Sequence, residues 1–130
     1  MAPQFAQQIA RHKRQAVHYM ENARHYIDVH DAEKASEFLW GAISQAVKAL
    51  ALSKNKVLRT HRDIERYARE FSRGEDIDLY DAFGIAQRLH ANFYEIELEI
   101  EDVAIGADRI ERAVSKILAQ IPDEIKTDDY

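Results

Sequence analysis

No proline falls between Pro3 and Pro122, and the 130-residue chain holds only 4 glycines. Proline removes a backbone donor from a helix and glycine raises the entropic cost of ordering it, so a chain this poor in both is free to run as long helices. The apolar residues agree. Phe5, Ile9, Ala16, Met20, Ala23 and Ile27 recur at helical steps, which predicts a first helix from Pro3 or Gln4 to Val29. His30-Asp31 then reads as a turn, with Asp31 as the N-cap of a second helix. In that helix Ala35, Phe38, Leu39, Ala42, Ile43, Ala46, Val47, Ala49 and Leu50 cover more than half the circumference, so it belongs at the centre of a bundle.

The pattern stops around Asn55-Lys56 and resumes at Thr60, which with Asp63 resembles a capping box opening a third, shorter helix. Ile64, Tyr67, Ala68 and Phe71 form its inward face, and Ser72-Arg73-Gly74 ends it. Asp76 or Asp78 is placed to cap a fourth helix running through Tyr80, Phe83, Ile85 and Leu89 to about Tyr94. From Glu95 to Asp102 apolar and acidic residues alternate as in a strand, but one strand has nothing to pair with, so a helix or helical junction is expected. A last helix runs from about Asp102 to Ile121, with Val103, Ile110, Val114, Ile117 and Leu118 inward. The expected fold is all-α: one bundle of four to five helices over residues 1–122, followed by an acidic tail, 123–130.

Several chemistries fall away at this stage. The chain has no cysteine, hence no disulfide, thiolate nucleophile or sulfur metal ligand. His18 and His25 share a face of the first helix with Arg11, Arg14 and Asn22, but they stand about two turns apart, too far to grip one metal. The Glu-x-x-His step of di-metal bundles, the phosphate-cradling glycine loop and the Gly-x-Ser-x-Gly elbow do not occur. No metal and no cofactor are therefore expected. No window offers the ~20 apolar residues of a membrane helix, and Met1 to Ala10 lacks a signal-type apolar run, so the expected location is the cytoplasm.

The net charge of −5 conceals an asymmetry: residues 1–74 carry 13 Lys and Arg against 8 Asp and Glu, whereas residues 75–130 carry 5 against 15. Either the basic part meets an anionic partner or the two parts fold against each other. The most specific feature is on the third helix, where Arg62, Arg66, Arg69 and Arg73 follow steps of four, three and four, with Arg59 one turn earlier. They lie opposite the inward face and form a cationic ridge suited to phosphates. The alternative is a solvated face paired with Asp63, Glu65, Glu70 or later carboxylates. His90, Asn92 and Tyr94 cluster where the fourth helix should end, lining a cleft or only capping the chain. Trp40, embedded in the most apolar helix, reads as core rather than as a base-stacking platform.

Ala35-Ser36-Glu37-Phe38-Leu39-Trp40-Gly41-Ala42 and Leu89-His90-Ala91-Asn92-Phe93-Tyr94-Glu95, in this order, resemble the small archaeal helical proteins of the PaREP family, within the HEPN-like superfamily. The resemblance implies an up-and-down HEPN-like bundle that forms a homodimer. It also implies relatives that are metal-independent ribonucleases, or partners of nucleotidyltransferases in toxin–antitoxin pairs. The ribonucleases carry an Arg, four to six residues and then a His near the start of the last core helix. Here Arg88 and His90 stand too close together, and the spacings that fit, Arg24 to His30 and Arg11 to His18, fall on the first helix. No catalytic residue is therefore carried over. The reading is a non-enzymatic, self-associating interaction module with a macromolecular partner; the alternative is an RNA- or nucleotide-binding protein that uses the third-helix ridge.

Overall fold

The computed structural model describes residues 5–74, 77–92 and 99–122. They form five helices: α1 (Ala6–Asp28), α2 (Ala32–Ser53), α3 (His61–Gly74), α4 (Ile77–Asn92) and α5 (Ile100–Ala119). There is no strand among the described residues. The expected all-α bundle is what the chain forms. Residues 123–130, the proposed tail, lie outside the described residues, as do Asp76 and the first half of the alternating stretch after Tyr94, while Ile100 to Asp102 are helical, as a helical junction requires. Asp78 is no cap, because α4 already begins at Ile77.

The ends of α1 and α2 close alike. His30 and Asn55 adopt positive φ values of 62° and 64°. After α1 the Asp31 N–H donates to Tyr26 O and the His30 N–H to Ile27 O; after α2 the Lys56 N–H donates to Ala51 O and the Asn55 N–H to Leu52 O. Both are Schellman closures, usually made with glycine at the left-handed residue. Asp31 then caps α2, its carboxylate accepting from the Lys34 N–H at 3.1 Å.

α2 is the hub and packs against each of the other four helices. Its apolar surface explains this: Ala35, Leu39, Ala42, Ile43, Ala46, Val47, Ala49 and Leu50 are fully buried. Paired positions fix the helix directions. Tyr26 and Tyr19 meet Phe38, and His12 meets Gln45, so α1 and α2 run antiparallel. A Cβ on Gly41 would come within 2.9 Å of the Tyr19 ring, so glycine is what permits this close crossing. Arg24 on α1 reaches Asp108 at 2.9 Å and Glu111 on α5, and Gly106 on α5 lies against Ile85 and Leu89 of α4. Val17 and Met20 lie by Val114 and Leu118 while Arg24 meets Asp108, and Ala82 lies by Ala113 while Leu89 meets Gly106, so the four long helices α1, α2, α4 and α5 alternate up and down, with α3 attached through α2 and α4.

Within this frame Ile9, Ala16, Met20 and Ala23 of α1, Phe83 and Leu89 of α4, and Val103, Ile110, Val114 and Ile117 of α5 are buried as their spacing predicts. Tyr80, placed on the inward face of the fourth helix by its spacing, is instead 37% exposed. The Arg24 contacts also settle part of the charge asymmetry, since they tie the basic part of the chain to the acidic part, although exposed pairs of this kind contribute only ~0.2–1 kcal/mol.

One half-buried titratable contact links the two longest helices. The Gln45 Oε1 can only accept, which makes the His12 Nδ1–H the donor. Burial, and after it the nearby Lys48 and Arg11 charges, push the His12 pKa below the usual 6.5 despite that hydrogen bond. The folded chain therefore takes up this proton less readily than the unfolded chain. The contribution is fully present above pH 6.5 and is lost as pH falls from there toward the lower folded-state value. The urea midpoint is expected to decline on acidification through this range, and less steeply in His12→Gln. Equal slopes in both proteins would contradict the assignment.

Candidate nucleic-acid interface

The α3 face is built from its first turn. The Asp63 N–H donates to Thr60 Oγ1 at 3.1 Å, while the Arg59 and Thr60 N–H groups donate to Asp63 Oδ2 at 3.0 and 3.2 Å. This is the reciprocal capping box expected from Thr60 and Asp63. Those two backbone N–H bonds hold the Asp63 carboxyl below its ordinary pKa. Ile64 and Ala68 are buried, and Tyr67 and Phe71 pack partly buried against the core, so the rotation of the helix about its axis is fixed.

That rotation turns Arg62, Arg66 and Arg73 out into solvent, with no ion pair to another described residue. Arg69, the fourth member of the ridge, is partly covered. Its guanidinium lies 5.8 Å from the centre of the Tyr80 ring on α4 and 4.0 Å from the Glu65 carboxylate. Arg59 is exposed but stands before the helix, in the stretch whose N–H groups serve the cap. The structure therefore brings four of the five predicted cations onto one helix face and sets Arg59 at its entrance.

The cluster predicted at the end of α4 is only partly described. Tyr94 lies outside the described residues, and so does the side chain of Asn92. His90 is brought to a place its sequence neighbours do not reveal: its ring centre is 5.7 Å from that of Trp40. His61 stacks on the same indole at 4.3 Å and 14°, and Phe83 meets it edge-on at 5.1 Å. Trp40 is thus a half-buried residue at the margin of the core, not a fully buried one. Residues 40, 61 and 90 are too far apart in the chain for any spacing rule to join them. Among the described residues no group of three or more His, Asp or Glu is placed to hold a metal ion, and no helix is long and apolar enough to cross a membrane.

Fold and surface together define a helical bundle whose central helix buries the core and whose third helix turns four arginines outward, one of them, Arg69, paired with Glu65. The chain belongs to the archaeal PaREP1/PaREP8 family, whose model matches residues 11–114. Its fold is similar to that of a Sulfolobus solfataricus protein known from a crystal structure, with a TM-score of 0.75 and 18% identity, over 83% of this chain and 97% of that one. At that identity the likeness is one of fold. No curated protein matches the chain by sequence.

Proposed function

We propose that this protein is a non-catalytic interaction module that binds single-stranded RNA along the outer face of α3. The observation that supports it most is the trio Arg62, Arg66 and Arg73, exposed and without ion pairs to described residues on a helix anchored by Ile64 and Ala68. At a rise of ~1.5 Å per residue the trio spans ~16 Å, the length of about five stacked nucleotides of one strand. Arginine suits such contacts because its fork of donors stays charged and matches phosphate oxygens. Binding of this kind is driven by release of counterions, so it reads the backbone and not the bases. Titration with labelled oligouridine at rising salt is expected to give log–log slopes near −2, about −0.7 for each of three phosphates. A salt-independent affinity would contradict the reading. No binding at low salt would redirect the search to a protein partner, a nucleotidyltransferase among them.

A second reading, self-association as a homodimer, is supported by Ile105 on α5, which is 63% exposed, the highest value among the large apolar side chains of the described residues. A sedimentation profile independent of protein concentration, at the mass of one chain, would count against it. The alternation of α1, α2, α4 and α5 supports placing the bundle among HEPN-like folds.

A further inference from the structure

Residues 75–130 form the acidic part of the chain and hold only 5 lysines and arginines. Four of them, Arg88, Arg109, Arg112 and Lys116, line two adjoining recesses of about 250 and 380 Å³ between α4 and α5, which share Asp81 and Arg109. In sequence these cations look like scattered exceptions in an acidic segment; in the fold they gather along one groove. Arg88, Arg109 and Arg112 are exposed, and none forms an ion pair with a described residue. Asp81 lines the same groove, and no ion pair ties its carboxylate to Arg109 or Arg112. The charge of these three arginines is therefore not paired off among the described residues.

Two further features open and extend the groove. Gly84 sits on its α4 wall, where a Cβ would meet nothing closer than the Arg88 Nη1 at 3.6 Å. A glycine inside a helix costs about 1 kcal/mol relative to alanine; at Gly41 a close helix crossing explains it, whereas at Gly84 a Cβ would make only an ordinary contact with the Arg88 side chain. A larger side chain at this wall position would fill part of the groove. Tyr80, at the groove's edge, is exposed and carries Arg69 of the α3 ridge over its ring. Tyr80 thus joins the ridge to the groove, and offers an aromatic face where cationic surfaces meet.

We infer that the α4–α5 groove is the continuation of the α3 face, and that a single strand of RNA crosses Tyr80 from Arg62, Arg66 and Arg73 to Arg109, Arg112 and Arg88. This inference rests on the RNA-binding reading of α3 and extends it. A single strand fits because its phosphates can follow a bent track while an unpaired base stacks on Tyr80, which a duplex does not offer. Base stacking on an aromatic ring tolerates any sequence, so the track selects for strand state and length.

The test uses the full chain, with oligouridines of about 5 and about 15 nucleotides, in the wild type, three charge or shape variants and Asp81→Asn. Arg109→Glu/Arg112→Glu removes groove charge, Gly84→Leu fills the groove without changing charge, and Arg62→Glu/Arg66→Glu/Arg73→Glu removes the ridge. The wild type is expected to bind the longer strand at least tenfold more tightly. Both groove variants should lose most of that length advantage and keep their affinity for the short strand, while the ridge variant loses both. Asp81→Asn should tighten binding of the long strand severalfold. If the groove variants bind the long strand as the wild type does while the ridge variant fails, the groove inference falls and the α3 reading stands. If the wild type binds neither strand at low salt, both fall.

Discussion

Replacing Arg62, Arg66 and Arg73 with glutamate is expected to lower the affinity for single-stranded RNA by about 100-fold or more at low salt, and to flatten the salt dependence by about two log–log units. Three phosphate contacts disappear and three repulsive charges take their place. The fold should be little affected, because the side chains are exposed, form no ion pair with a described residue, and surface changes of this kind are usually within about 0.5 kcal/mol each. The contrary account makes α3 a solvated face whose arginines steady Asp63, Glu65 and Glu70. Under that account the triple variant loses thermal stability and binds RNA no differently from the wild type. Fluorescence anisotropy with labelled oligouridine, beside a thermal melt of the same samples, separates the two.

Phe83→Ala is expected to have the largest effect on stability, about 3–5 kcal/mol. Phe83 is completely buried on α4 and packs edge-on to Trp40 of α2 at 5.1 Å. Its removal opens a cavity between the hub helix and the helix that carries the groove. Domains of this size are stable by roughly 5–15 kcal/mol, so the variant sits near the edge of folding. Its neighbour three residues back gives the contrast: Tyr80→Ala, at an exposed position, should cost far less. Urea unfolding followed by the fluorescence of Trp40, the single tryptophan, measures both. Equal midpoint shifts for the two variants would contradict this picture of the core.

What could be read from the residues alone was what is local. The capping box of Thr60 and Asp63, the turn at His30-Asp31 and the rotation of α3 all depend on neighbours within four positions, and each formed as its spacing implied. At His30 and Asn55 the end of the helical pattern was legible but the left-handed conformation was not, since glycine usually marks such sites. Tyr80 misled because periodicity reports which residues share a face, not how far that face extends before solvent begins. The longest-range features were invisible for a plainer reason. Arg24 with Asp108 and Glu111, Trp40 with His61 and His90, and the α4–α5 groove join positions on different helices, and only the packing order of the bundle brings them together.

The central claim is that RNA lies on the outer face of α3. The most direct measurement is a map of backbone amide shifts in the isotope-labelled protein on titration with oligouridine. The expected result is a continuous set of perturbed amides from His61 to Arg73 that disappears as salt is raised. Shifts confined to α1, or no shifts at RNA concentrations that saturate other single-strand binders, would contradict it.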